Sequence, residues 1–83
     1  MKVRVHVTPK EGILDPQGAT VERALPALGF QGVRDVRIGR FIELTLETPA
    51  GGPHAADAIV DEMCRKLLAN PIIEDYTFTI DED

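Results

Sequence analysis

The sequence has one cysteine, no tryptophan, three phenylalanines and one tyrosine in 83 residues. A lone Cys64 excludes a disulfide within the chain and a cysteine-rich zinc or iron–sulfur site. So few aromatics leave no platform on which nucleic-acid bases could stack. Positive charge is also in short supply: nine Lys/Arg face fourteen Asp/Glu, a net charge of −5. A nucleic-acid binder needs the opposite balance to meet phosphates. No run approaches the ~18 apolar residues of a membrane span. The opening residues, MKVRVHV, lack the apolar block of a secretory signal. The expected setting is the cytoplasm, with neither nucleic acid nor membrane as partner.

What is present describes a folded chain. Hydrophobic residues make up 43% and charged ones 28%, a globular balance. The length suits one domain, residues 1–83. A core this small is marginal, and such chains often gain stability by self-association. Charge is unevenly placed. Residues 1–40 hold seven Lys/Arg and four Asp/Glu, whereas residues 41–83 hold two and ten. The two halves either pair off within the fold or help subunits dock.

Val3, Val5 and Val7 alternate with Lys2, Arg4, His6 and Thr8, the period of a strand with one buried face. Asp15-Pro16 is a helix start, because Asp caps free N–H groups and Pro suits the first helical position. The helix runs from about Asp15 to Leu28 on Val21, Leu25 and Leu28, with Gly29 as its stop and Pro26 tightening or kinking its last turn. A hairpin is expected next. Val36 and Ile38 lie on one arm, Ile42, Leu44 and Leu46 on the other, and Gly39-Arg40 forms a two-residue loop. After the breaker-rich Thr48–Pro53, a second helix covers about Pro53 to Ala69, with Ala56, Ile59, Val60, Met63 and Leu67 as its stripe. Asn70-Pro71 ends it. A last strand runs from about Ile72 to Ile80, followed by the acidic end Asp81-Glu82-Asp83, expected to fray. The order is β-α-β-β-α-β. This is an α+β, two-layer arrangement with two helices on one face of a mainly antiparallel four-stranded sheet. The other face carries Lys2, Arg4, His6, Asp35, Arg37, Glu43, Thr45, Glu47, Asp75, Thr77 and Thr79, with Val33, Phe41 and Ile73 as apolar points that a second subunit could cover.

No catalytic set emerges. Cys64 falls mid-helix among apolar neighbours and reads as a half-buried structural thiol. His6 and His54 lie on different elements with no nucleophile or carboxylate motif linking them. Gly51-Gly52 is too short for a phosphate loop. Gly18 sits in the first helical turn, where glycine costs ~1 kcal/mol against alanine. An anion there would compete with the Asp15 carboxylate, so Gly18 reads as room for a neighbouring backbone or side chain.

Three stretches then resemble a known family: Lys10-Glu11-Gly12-Ile13-Leu14-Asp15-Pro16-Gln17-Gly18, Asp35 through Leu44, and Cys64 through Tyr76. They resemble PurS, the small subunit of phosphoribosylformylglycinamidine synthase, over nearly the whole chain. The Gly/Pro-rich linker 48–53 and Pro26 depart from the pattern. The resemblance implies a subunit of an ATP-dependent, glutamine-hydrolysing carbon–nitrogen ligase complex of purine biosynthesis. In it, a glutaminase subunit (PurQ) releases ammonia and a synthetase subunit (PurL) consumes it with ATP. PurS bridges the two and assists ammonia transfer. No catalytic residue, metal or cofactor is expected in this chain, because ATP is used by the synthetase partner. Self-association as dimer or tetramer is expected. On the matching stretches, Lys10, Asp15, Gln17 and Gly18 form one expected docking edge. Gly39, Arg40, Glu43, Asn70 and Pro71 are further partner-contact candidates. A small-molecule-binding regulatory module of similar build is the alternative.

Overall fold

The computed structural model describes residues 1–82; the final acidic residue, Asp83, lies outside them. The chain forms β1 (Lys2–Pro9), α1 (Pro16–Ala27), β2 (Arg40–Thr45), α2 (Pro53–Met63), a π-helical turn (Cys64–Leu68) and β3 (Glu74–Asp81). β1 is the central strand, antiparallel to β2 on one side and β3 on the other. Val3, Val5 and Val7 are fully buried beneath α2, against Val60 and Cys64. The alternation of β1 therefore does what its period implies. Ile42, Leu44 and Leu46 of the β2 side and Tyr76, Phe78 and Ile80 of β3 flank this core, half-buried.

α1 begins as its sequence dictates. Asp15 is the N-cap, and its Oδ1 accepts the Gly18 N–H at 3.0 Å. The helix ends in paired backbone bonds. The Phe30 N–H reaches the Leu25 carbonyl (3.0 Å) and the Gly29 N–H reaches that of Pro26 (3.1 Å). Gly29 takes φ 98°, the left-handed conformation that this type of stop requires. Pro26 lies in this tightened last turn and leaves the helix intact.

α2 ends earlier than its periodicity suggests. From Cys64 the chain widens into a π turn, with the Ala69 N–H donating to the Cys64 carbonyl at 2.9 Å. The wider turn admits an extra residue. It carries Leu67 out to 83% exposure while Leu68 and Ala69 turn toward the core. The buried stripe of the helix is thus Ala56, Val60 and Cys64.

The largest departure concerns the expected hairpin. The sheet has three strands, not four. Gly39-Arg40 is not a turn: Arg40 is the first residue of β2 and stands opposite Val7 of β1. Residues 36–38 belong to no strand. Side-chain parity explains why. A two-residue loop at 39–40 pairs Ile38 with Phe41, and directly opposed residues share a face. Ile38 would then lie with Phe41 on the open face, away from Ile42 and Leu44. A three-residue loop would take Arg40 and Phe41 out of their pairing with Val7 and His6. The segment is satisfied elsewhere instead. The Val36 N–H donates to Glu22 Oε1 (3.0 Å) and the Ile38 N–H to Asp15 Oδ2 (2.8 Å), both carboxylates of the α1 region.

α1 and residues 36–38 consequently form an arm, and α1 makes no substantial packing contact with a strand. Only α2 covers the sheet, so the expected two-helix cover is also corrected. The radius of gyration is 16.4 Å and the extents are 53 × 27 × 15 Å, against roughly 12 Å for a compact chain of this length. On α1, Val21 and Leu28 are exposed, and so is Phe30 beyond it. Truncating Val5 in the one true core is expected to lower unfolding free energy by about 2–3 kcal/mol. Urea unfolding of Val5→Ala checks this.

Candidate functional site

The candidate contact residues gather at one end of the sheet, where β1 finishes and β2 and β3 begin. Lys10 follows β1. Its N–H donates to the Ile73 carbonyl (2.8 Å) and its Nζ to Asp75 Oδ1 (2.7 Å). The first loop is thereby fastened to the chain entering β3. Gly39 lies against the end of β1, and a Cβ there would meet the Val7 carbonyl oxygen at 1.8 Å. Only glycine fits that approach.

Arg40 is the second fastening. Its Nη1 and Nη2 donate to the two oxygens of Glu74 at 2.8 and 3.1 Å, and Nη2 also donates to the Leu68 carbonyl at 2.6 Å. A planar guanidinium suits this forked geometry, which an ammonium could not reproduce. The same Glu74 Oε1 accepts the Asn70 N–H at 2.7 Å, and Asn70 Oδ1 accepts the Ile72 N–H at 3.1 Å. Arg40, Glu74 and Asn70 thus close the π turn onto the sheet and present Pro71 at the surface. Arg40 and the Asn70 N–H hold the Glu74 carboxyl below its ordinary range, the arginine being the larger cause.

Asp15 is the third fastening. It accepts from both Ile38 and Gly18 and caps α1 while tying the arm to it. Those backbone bonds, the Ile38 one foremost, keep its carboxyl below the ordinary value. Gly18 is buried, and a Cβ there would lie 2.3 Å from both Asp15 Oδ2 and the Val36 carbonyl oxygen. Its place in the first turn is explained by this close approach within the chain. Gln17 stands exposed beside it. Glu43 is set apart, on the open face of the sheet, 3.5 Å from Arg4. Arg4 also pairs with Asp81, and His6 and Phe41 place their rings 4.8 Å apart on that face.

Glu74 and Glu22 are the residues that sequence reasoning missed. Glu22 carried a signal: it lies four residues after Gly18 on one helical face, and that face packs on residues 36–38. Glu74 had none, since its partner Arg40 is 34 residues away.

Between the arm and the sheet end lies a concavity of about 310 Å³ bordered by Lys10, Asp15, Glu22, Arg23, Asp35 and Arg37. Its charges balance, and Lys10, Asp15 and Glu22 are already engaged as described. Arg37 sits 3.9 Å from Asp35 and donates to the Pro9 carbonyl at 3.3 Å. The groove holds no activated nucleophile. Cys64 is fully buried, and burial, then Asp61, push its thiol up, away from the reactive thiolate. Among the described residues no cluster of three His, Cys, Asp or Glu could hold a metal ion, and no helix is long and apolar enough to cross a membrane.

A family model described as PurS, phosphoribosylformylglycinamidine (FGAM) synthase, matches residues 2–82. The chain belongs to the PurS family. It is 48% identical over 81 residues to the phosphoribosylformylglycinamidine synthase subunit PurS of Bacillus subtilis (strain 168), covering 98% of this chain and 93% of that one. The C2 crystal form of B. subtilis PurS superposes with a TM-score of 0.81, covering 98% of each chain. PurS of Methanocaldococcus jannaschii, described as one of the subunits of formylglycinamide ribonucleotide amidotransferase, is 38% identical. It has a TM-score of 0.78 and covers 99% and 96% of the two chains. A chain of PurLQS from Thermotoga maritima is 32% identical with a TM-score of 0.79, covering 94% and 93%. The extended arm is therefore compatible with PurS chains along their whole length.

Two predictions follow from the fastenings. Gly18→Ala gains ~1 kcal/mol of helix propensity but forces a methyl into two oxygens, which costs about 1–3 kcal/mol. Urea unfolding is expected to show net destabilisation. Asp15 and Glu74 both have depressed folded-state values, so their contribution is present above the ordinary carboxylate range, roughly pH 4. It is lost as pH falls through the depressed values. Arg40→Ala is expected to move Glu74 titration upward, toward that range, as read by carboxyl-carbon NMR.

Proposed function

We propose that this chain is the non-catalytic assembly subunit of an FGAM synthase complex in purine biosynthesis. It bridges a glutaminase subunit (PurQ) and a synthetase subunit (PurL) and assists ammonia transfer between them. The observation that carries this reading is the full-length likeness to the chain of PurLQS from T. maritima. The geometry supports it. Lys10, Gly39, Arg40, Asn70 and Pro71 meet at one end of the sheet, with Asp15, Gln17 and Gly18 beside them at the root of the arm. A surface fastened in this way binds without first paying to order loops.

The role makes physical sense. Ammonia released into water is protonated or lost, so two active sites that exchange it benefit from a closed, water-poor route. A subunit that braces such a route needs rigid faces for two partners and no reactive group of its own. In this reading ATP is bound by the synthetase partner and this chain carries no cofactor. The complex works in the cytoplasm, and the chain self-associates as a dimer or tetramer.

Mixing PurL and PurQ with and without this chain tests the proposal. Glutamine-dependent turnover is expected only with the chain, whereas ammonium-dependent turnover by PurL needs no PurQ coupling. If glutamine-dependent turnover is unchanged and no complex forms, the reading fails. Lys10→Ala and Gln17→Ala are expected to weaken complex formation in light scattering while leaving the unfolding midpoint nearly in place, since exposed ion pairs contribute only ~0–1 kcal/mol.

A further inference from the structure

We propose that the groove between the arm and the end of the sheet binds a small zwitterion, an α-amino acid with an aliphatic side chain. This goes beyond the assembly role and does not depend on it.

The groove has a volume of about 310 Å³, at the lower end of the ~300–1,000 Å³ of small-molecule sites. Three segments border it: the loop after β1, the first half of α1 and residues 35–37. Lys10, Arg23 and Arg37 face it with positive charge, Asp15, Glu22 and Asp35 with negative. Several of these are already used. Lys10 is held by Asp75 at 2.7 Å, and the two Asp15 oxygens accept from Gly18 and Ile38. Glu22 spends Oε1 on the Val36 N–H and keeps Oε2. Arg37 is loosely held, with Nε 3.9 Å from Asp35 Oδ1 and Nη1 3.3 Å from the Pro9 carbonyl oxygen. Arg23 has no hydrogen bond or ion pair with another described residue. The guanidinium groups of Arg23 and Arg37 and the carboxylates of Glu22 and Asp35 therefore remain open to a ligand.

A simple anion in this groove gains from the arginines and is repelled by the carboxylates, and a simple cation meets the reverse. A ligand that carries both charges is matched on both sides. The forked donors of arginine suit a carboxylate, and the open carboxylate oxygens accept from an ammonium. Asp35 is the sole non-glycine residue among those described with a positive φ, 58°. Glycine takes that conformation freely, yet this position brings a carboxylate to the groove. Ala19 and Val36 line it half-buried, and Ile13 and Leu14 stand exposed beside them. These four offer apolar surface for an aliphatic side chain to cover. A ligand seated there links three segments that the buried core does not include.

The test titrates the isotope-labelled full chain with L-leucine, glycine, isocaproate and isoamylamine, following the backbone amides by NMR. Isocaproate lacks the ammonium of leucine, isoamylamine its carboxylate and glycine its side chain. L-Leucine is expected to give saturable shifts at Gly12, Ile13, Asp35 and Arg37 with a millimolar or lower Kd. Glycine is expected to bind about tenfold more weakly, because it covers no apolar surface. The two single-charge analogues are expected not to saturate up to about 10 mM. Arg23→Gln is expected to weaken L-leucine binding about tenfold or more and to leave the ligand-free Tm unchanged. The Tm of the unmutated chain is expected to rise with L-leucine, by linkage. No saturation with L-leucine up to about 10 mM overturns the site. Equal binding of isocaproate or isoamylamine overturns the zwitterion match. Shifts at these amides given by PurL or PurQ and by no amino acid make the groove a docking surface, which overturns the proposal and leaves the assembly role standing.

Discussion

A single carboxylate, that of Asp15, orders the part of the chain that the core does not. Its two oxygens take two backbone donors from separate segments, Gly18 in the first turn of α1 and Ile38 before β2. The first bond starts the helix. The second holds the returning chain beside it. The pair must approach so closely that position 18 has no room for a Cβ beside the Val36 carbonyl. With Glu22 taking the Val36 N–H, residues 36–38 are held beside α1. The buried apolar cluster of the described residues lies elsewhere, under α2 on Val3, Val5 and Val7.

The consequence is a chain with two unlike parts. One is a small valine-rich sheet covered by α2. The other is an arm that leaves Val21, Leu28 and Phe30 in water. That exposure is costly for an isolated chain of this size. It is consistent with a subunit whose finished form includes other chains. The candidate contact residues lie at the junction, where Lys10, Arg40 and Asn70 are each held by bonds within the chain.

Much of this was legible in the residues. The β1 alternation, the Asp15-Pro16 start and the Gly29 stop follow from local patterns and appear in the structure, while Cys64, expected half-buried, is fully buried. The fourth strand does not. Val36 and Ile38 alternate as a strand should, but alternation does not say which neighbour satisfies the backbone. The conflict was present in the numbering, since a two-residue loop places Ile38 and Ile42 on opposite faces. The π turn was hidden because its stripe and that of an α-helix agree until Cys64. Glu74, which fastens the candidate site, gave no local signal because its partners are distant in sequence or lie in a turn.

Amide exchange at Ile38, compared between the unmutated chain and Asp15→Ala, bears most directly on how the arm is held. If Asp15 organises it, the Ile38 amide is protected in the unmutated chain. It then exchanges at nearly open-chain rates in the variant, while Val5 in the core keeps its protection. If Ile38 exchanges equally in both, the arm is set by something other than this carboxylate, and the placing of residues 36–38 beside α1 needs a different cause.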